Sequence, residues 1–415
     1  MNGLNSRQNN APSHTRNSAD PVDFLVQWQS LVVAGYRSVW RELALQSGWS
    51  VTMIAPHQFR EGGMQDLVCD GNDPQNPPLI TLPVRRFHTQ AVWFKRLGTT
   101  MRHWLKGSPR PKIFLCFAEP YSLTALFTVL TLLKTRWRTC FAGPRPRLLF
   151  YGFQNIQKKL PLPLILIQYL LFKCADAIAV AGAEHEQVLR SHGFKGRCIR
   201  LPMWFDPLVF CPKKTDDPNH SQRTVTIGYA GSLLPEKGIS QILDTLIETY
   251  SDSAKAKDLH LTNSTIAIAG DGPLKLQIIA KIDALKKLGV NAIYRGPIAA
   301  AEISAFYQSV DVLIVPSLTA PHWKEQFGRV IIEAMACGCV VIGSDSGEIP
   351  NVIADSCRIF PENNPQAFLD VLAAAVKCVL TDSPRERKRM SEQALARFSD
   401  RVVAANFLAE LQTLI

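Results

Sequence analysis

Residues 322–353 read HWKEQFGRVIIEAMACGCVVIGSDSGEIPNVI, and an apolar run, DVLIVP, precedes them at 311–316. The run at 311–316 predicts a buried strand that ends at Pro316. A loop follows, then a helix expected to start at about Gln326–Phe327 and to run to Ala336. CVVIGS (339–344) predicts the next strand. Strand, loop, helix, strand is one parallel crossover unit, and near-continuous apolar character indicates strands covered on both faces. The first turn of such a helix presents unpaired N–H groups and the positive end of the helix dipole, an arrangement suited to a diphosphate. Gly328 allows an anion close to the backbone. Glu325 lies just before that turn, placed to accept hydrogen bonds from sugar hydroxyls. Glu333 lies about two turns on, nearly on the same face, within reach of a ribose diol.

The same alternation extends in both directions. TIGYAG (226–231), TIAIAG (265–270) and a short run near Arg358–Phe360 predict further strands of a C-terminal unit. VTMIAP (51–56), KIFLCFAEP (112–120), RLLFYGFQN (147–155) and DAIAVAGAEH (176–185) predict those of an N-terminal one. Between them, the proline-rich 202–223 reads as a linker. A chain of 415 residues suits two domains. The expected fold is α/β, with two doubly wound Rossmann-like domains facing across a cleft, the default ligand site. The expected organisation is a disordered tail (1–20), an N-terminal acceptor domain (21–203), a linker (204–223), a C-terminal nucleotide-sugar domain (224–395), and a helix returning to the first domain (396–415).

The stretch around Glu325 and Glu333 resembles the E-x7-E signature of retaining, family-4-like glycosyltransferases (glycosyl transferases group 1) with the GT-B fold. The resemblance implies that Glu325 contacts the donor sugar, Glu333 the ribose, and the amides around Phe327, Gly328, Arg329 and Val330 the phosphates. GYAGSLLPEKG (228–238) is similar to the family's phosphate-facing loop, with Gly231, Ser232 and the point charge of Lys237. The family usually has Arg where this chain has Ser232, and Arg329 is the candidate substitute. IAGDGP (268–273), with Gly270 and Gly272, and YRGPI (294–298), with Pro297 and Ile298, resemble the segments beside the nucleotide base. Together these imply a nucleotide-diphosphate sugar as donor, retention of configuration, and a glycan, lipid-linked or small-molecule acceptor. No cofactor and no metal are expected, because the class holds the diphosphate through protein donors and the chain has no Asp-x-Asp motif. His322, beside the signature, is expected to be a loop histidine.

The N-terminal half matches the family less closely. Its expected Gly-rich loop has a single Gly35, in WQSLVVAGYRSVW. Where many relatives place a histidine facing the acceptor, this chain has Gln154 and Asn155, neither of which is a base. Glu119, at a strand end in EPYS, is the candidate for acceptor binding or deprotonation. A carboxylate that only hydrogen-bonds to a neighbouring loop is the competing reading.

Charge divides the chain. Residues 1–214 hold 27 Lys and Arg against 12 Asp and Glu, and the remainder 19 against 23. No zinc-finger spacing, RNP pattern or basic region with heptads appears, so nucleic acid is not an expected partner. An anionic membrane or substrate remains. WFKRLGTTMRHWLKGSPRPK (93–112) interleaves aromatics with cations and is the candidate for peripheral membrane contact, against a solvated face whose aromatics pack inward. LPLPLILIQYLLF (160–172) is too short to span a bilayer. Ten scattered cysteines and a polar N-terminus suggest the cytoplasm, at the inner face of a membrane where membrane contact holds. Two alternatives stand beside the transferase: a degenerate GT-B binding or scaffold subunit, and a sugar-nucleotide epimerase. A dehydrogenase is disfavoured, because no G-x-G-x-x-G opens a helix after a strand.

Overall fold

The computed structural model describes residues 21–59, 67–69, 71, 73–88, 91–141, 143–213 and 224–415. The expected tail at 1–20 and residues 214–223 of the expected linker lie outside them. The first sheet has seven strands: β1 (Asp23–Gln27), β2 (Ser50–Pro56), β3 (Leu79–Leu82), β4 (Lys112–Cys116), β5 (Arg147–Gly152), β6 (Ala177–Val180) and β7 (Arg197–Arg200). Their order is β7-β6-β5-β4-β1-β2-β3, parallel throughout. The second sheet has β8 (Val225–Ala230), β9 (Ser264–Ala269), β10 (Asn291–Gly296), β11 (Val312–Val315), β12 (Val340–Ser344) and β13 (Ile359–Phe360). Its order is β10-β9-β8-β11-β12-β13, again parallel. Each order reverses beside its first strand, which is the doubly wound pattern of two Rossmann-like units.

The helices that matter for the cleft are α1 (Ser38–Ser47), α2 (Leu97–Lys106), α3 (Leu123–Arg138), α4 (Leu162–Cys174), α5 (Ala183–Ser191), α6 (Ile239–Ser251), α7 (Arg329–Ala336), α8 (Pro365–Phe398) and α9 (Asp400–Gln412). The carboxyl ends of both sheets face each other, so the loops after β5, β6, β11 and β12 meet in the cleft. On the far side α9 packs on α1. Arg41 of α1 reaches Asp206 at 3.1 Å and Asp400 at 3.6 Å. Phe205 pairs with Ser399 as an isolated parallel bridge.

The start of the expected linker is core. Trp204 is 1% exposed and meets Trp28 and Trp40 edge-on, at centroid distances of 6.0 and 5.8 Å. Prolines at 202 and 207 suggested a spacer, but the aromatics between them contribute more by burial than an extended linker would retain. α8 is kinked: Asp382 leaves helical geometry two residues before Pro384, whose ring cannot continue the hydrogen-bond ladder.

Gly238 joins Lys237 to α6 in the left-handed conformation, φ +70°. A Cβ there would overlap the carbonyl oxygen of Pro316, at the end of β11. This close approach couples the loops after β8 and β11. Gly238→Ala is therefore expected to cost on the order of 1–3 kcal/mol, measured by urea unfolding, and to lower Tm; an unchanged midpoint would show that the two loops are not in register there.

Candidate functional site in the interdomain cleft

Glu325 is the centre of the cleft. Its carboxylate accepts from Lys237 Nζ at 2.7 Å and from Ser317 Oγ at 3.0 Å. Its backbone oxygen accepts from Asn155 Nδ2, across the cleft, at 2.8 Å and from Glu348 N at 3.2 Å. Gly347, φ +56°, makes the second contact possible, because a side chain there would overlap that same oxygen. Lys237 also lies 4.6 Å from the ring centre of Trp323, so its ammonium is held between a carboxylate and an aromatic face.

The helix after Glu325 begins later than the sequence suggested. α7 starts at Arg329, and Gly328, φ +78°, is its cap, so Gln326 and Phe327 belong to the loop. Val330 is half-buried in the first turn. The two glutamates of the signature enter separate ion pairs. Glu333 is buried and meets Arg329 Nε at 2.7 Å and Tyr307 Oη at 3.4 Å. Burial pushes the Glu333 carboxyl above the usual range, with the guanidinium opposing it. Arg329 in turn lies 4.2 Å over the Tyr36 ring, and a Cβ on Gly35 would stand 3.0 Å from its guanidinium. The loop with Gly35 thus closes on α7. Arg37 stiffens it by donating to the carbonyls of Leu31 (2.8 Å) and Val32 (3.0 Å).

The other expected donor segments line up at strand ends of the second sheet. Gly231 N donates to Ala269 O at 3.1 Å, and Gly270 N to Gly296 O at 2.8 Å. Tyr229 Oη donates to the carbonyl of Ser232, and Tyr294 Oη to that of Gly270, each at 2.8 Å. Gly272 packs its backbone against that of Leu233, and Pro297 and Ile298 continue from Gly296 along the same rim.

On the N-terminal side, Glu119 accepts the amide of Phe153 at 2.6 Å, just past the ends of β4 and β5. Burial pushes its carboxyl up to about 7, against the loop amides and Lys158, which lower it. The geometry is that of a brace on the loop carrying Gln154 and Asn155. Gln154 is buried beside Tyr121 Oη at 3.4 Å. Gln326 Nε2 donates to Phe153 O at 2.8 Å, and Lys324 pairs with Glu184 at 2.7 Å, both across the cleft. Beside these contacts lies a cleft of about 440 Å³, walled by Asn155, Gln157, Glu184, Gln187, Thr319 and Lys324. His322 is exposed in the adjoining loop. Among the described residues no group of three His, Cys, Asp or Glu side chains is placed to hold a metal ion.

One contact had no signal in the sequence. Glu348 of the second unit accepts the Glu184 amide at 2.9 Å and so caps the first turn of α5 in the first unit. Beneath it His185 is fully buried, its Nδ1 3.8 Å from Glu348 Oε1.

Residues 212–397 match the family described as Glycosyl transferases group 1. Over that stretch, which takes in the second sheet and α7, the chain is similar to group 1 glycosyltransferases. It is 28% identical to a D-inositol 3-phosphate glycosyltransferase of Streptomyces bingchenggensis over 34% of this chain and 30% of that protein. It is 26% identical to a lipopolysaccharide 1,2-N-acetylglucosaminetransferase of Salmonella typhimurium over 47% of this chain and 50% of that one. These alignments thus span half or less of the relatives' own lengths. The fold is similar to that of Anabaena HepE, solved in complex with UDP, with a TM-score of 0.63 at 14% identity over 95% of this chain and 100% of that one. This likeness identifies the two-domain architecture as GT-B.

Burial pushes His185 down to about 4. In the unfolded chain the imidazole titrates near about 6.5, so the unfolded state takes up the proton first and stability falls as pH drops from about 6.5 to about 4. The expected loss approaches about 3 kcal/mol. His185→Leu should remove this component, and denaturation of both proteins at pH 7 and pH 4.5 checks it. Equal pH dependence would show that the histidine is not buried in the folded state.

Proposed function

We propose that the protein is a retaining glycosyltransferase that takes a hexose from a nucleoside diphosphate sugar and passes it to a polyhydroxylated acceptor, a glycan or a lipid-linked one, in the cytoplasm. The observation that carries this reading is the Lys237–Glu325 pair at the meeting point of the two sheets' loops. Without a donor, each charge neutralises the other. An incoming diphosphate competes for Lys237 and frees the Glu325 carboxylate to accept from sugar hydroxyls. Lys237 and the backbone amides at Gly328–Val330 then stabilise the charge that grows on the departing phosphate as the glycosidic carbon–oxygen bond breaks. Arg329, already balanced by Glu333, adds field to that site, and Glu333 is in place for the ribose. The group 1 match and the likeness to a fold solved with UDP support the donor class.

The acceptor is assigned to the 440 Å³ cleft, whose walls of amide, carboxylate, hydroxyl and ammonium groups suit sugar hydroxyls. In this reading Glu119 is a positioning residue that sets Gln154 and Asn155. The contacts across the cleft hold the two units together around the reacting groups and exclude water that would hydrolyse the donor. Charge on the diphosphate is met by protein groups, so turnover is expected to survive a chelating agent.

The first experiment is a thermal-shift series with UDP, GDP, ADP and their sugar conjugates, with Lys237→Ala alongside. A ligand at about 100 times its Kd adds roughly 2.7 kcal/mol, a readily measured rise in Tm that the variant should lose. No shift with any nucleotide would favour a degenerate GT-B scaffold. Glu325→Gln is expected to retain nucleotide binding and to lower kcat by about 100-fold or more. A fall in nucleotide affinity with kcat intact would move Glu325 to the nucleotide.

A further inference from the structure

Between Pro74 and Ala175 the sequence holds sixteen Lys and Arg and a single acid, Glu119, which is taken up by the Phe153 amide. Among the described residues, the same segment contains most of the large apolar side chains that the fold leaves in solvent. α3 buries Ala125, Val129 and Leu132 and turns Leu130, Leu133 and Trp137 outward, with Trp137 71% exposed. α4 buries only Gln168 and Leu171 and leaves Leu162, Leu166 and Tyr169 exposed, Leu162 by 82%. The two helices touch, so these exposed apolar side chains stand on adjoining elements. Beside them stand the exposed cations Lys134, Arg138, Lys158, Lys159 and Lys173. Patches of this kind on a folded chain mark an interaction surface.

We infer that the α3–α4 face docks on a membrane surface rich in anionic lipid headgroups. Exposed apolar side chains beside cations, on a segment whose single acid is engaged by a backbone amide, match the acyl–headgroup boundary of such a surface. A second copy of this chain would bring one cationic rim against another, so charge complementarity selects the lipid. No helix among the described residues is long and apolar enough to cross a membrane, and α4, with 13 residues, spans about 20 Å, so the contact is peripheral. This location differs from the expected one at 93–112. There Trp104 packs inward beside Phe114, with Lys112 Nζ 5.4 Å from its ring centre, and only Trp93 faces out.

The face also bears on the substrate. Asn155 holds Glu325 and walls the acceptor cleft, and five residues separate it from Pro161, which opens α4. A chain seated on lipid by α4 therefore holds the cleft close to the headgroups. Given the transferase reading, the acceptor is a lipid-linked glycan or headgroup sugar presented from that surface. The docking itself does not depend on that reading.

Flotation of the full chain with phosphatidylcholine vesicles, with and without phosphatidylglycerol, tests it at low salt. Two variants run beside the wild type: Leu133→Glu/Trp137→Ser/Leu166→Glu, and Lys134→Glu/Lys158→Glu/Lys159→Glu. The expected result is binding to the anionic vesicles only, reduced by roughly tenfold or more in each variant. Both variants should keep the wild-type Tm and the nucleotide-induced shift. That shift reads the donor site separately, so a failure of docking and a failure of the transferase reading remain distinguishable. Absence of wild-type flotation overturns the inference. So does an apolar variant that floats as well as the wild type, which would leave only non-specific charge attraction. A wild-type dimer that the apolar variant dissolves, without flotation, would assign the face to a second copy.

Discussion

Glu325 imposes the constraint on which the cleft depends. Its peptide oxygen is held from both units, by Asn155 and by the Glu348 amide, while its carboxylate is held by Lys237 and Ser317. A residue fixed at backbone and side chain by four partners has one available position. Through Asn155 that also fixes how far the N-terminal sheet stands from the second one. Each partner sits beyond the end of a different parallel strand or in the turn that follows it, which is why the doubly wound topology matters here. Only parallel strands bring so many chain reversals to one edge of each sheet.

Around this centre, opposite charges are placed so that none is isolated in a half-dry environment. Lys237 faces Glu325, Arg329 faces Glu333, and Lys324 faces Glu184. An unpaired ion at any of these positions would carry a desolvation cost of several kcal/mol. An anionic ligand can take over one such cation only by offering at least an equal interaction, which in the proposed reading a diphosphate does with its two charged groups. The pairs thus serve as placeholders that keep the cleft ordered while empty. His185, buried beside Glu348 at the interface, belongs to the same arrangement in its neutral form, where burial favours the uncharged ring.

The sheet of the C-terminal half was legible because its strands are short apolar runs with glycine or proline at their ends, and no competing period overlaps them. β1, β3, β7 and β10 were not picked out as strands. All four, β1 (DFLVQ), β3 (LITL), β7 (RCIR) and β10 (NAIYRG), carry polar residues, and in each the strand is decided by pairing in the sheet, a tertiary effect that local pattern does not encode. α7 starts at Arg329 and not at Gln326–Phe327. The apolar spacing begins at Phe327, but Gly328 takes a left-handed conformation and acts as the cap. The partners of Glu325 and Glu333 were hidden for a different reason: Ser317, Asn155 and Tyr307 are ordinary residues in sequence, and only the fold brings them within hydrogen-bond distance. Glu348, which caps α5, is another case, 164 positions along the chain from the Glu184 amide it accepts.

The division of charge between the halves acquires a spatial meaning in this light. The cations of the first half do not line the cleft, where Glu119, Glu184 and neutral amides predominate. Five of them, Lys134, Arg138, Lys158, Lys159 and Lys173, stand exposed on or just before the apolar helices α3 and α4. The positive charges that meet the cleft from the second half, Lys237, Lys324 and Arg329, are each matched by a carboxylate. Charge is therefore distributed unevenly, with balanced pairs at the cleft and, in the docking we infer, unbalanced cations on the side that would meet an anionic surface. A loop of a few residues, from Asn155 to Pro161, connects the two places. Any shift of α4 on a surface would bear on Asn155 and, through it, on the peptide oxygen of Glu325.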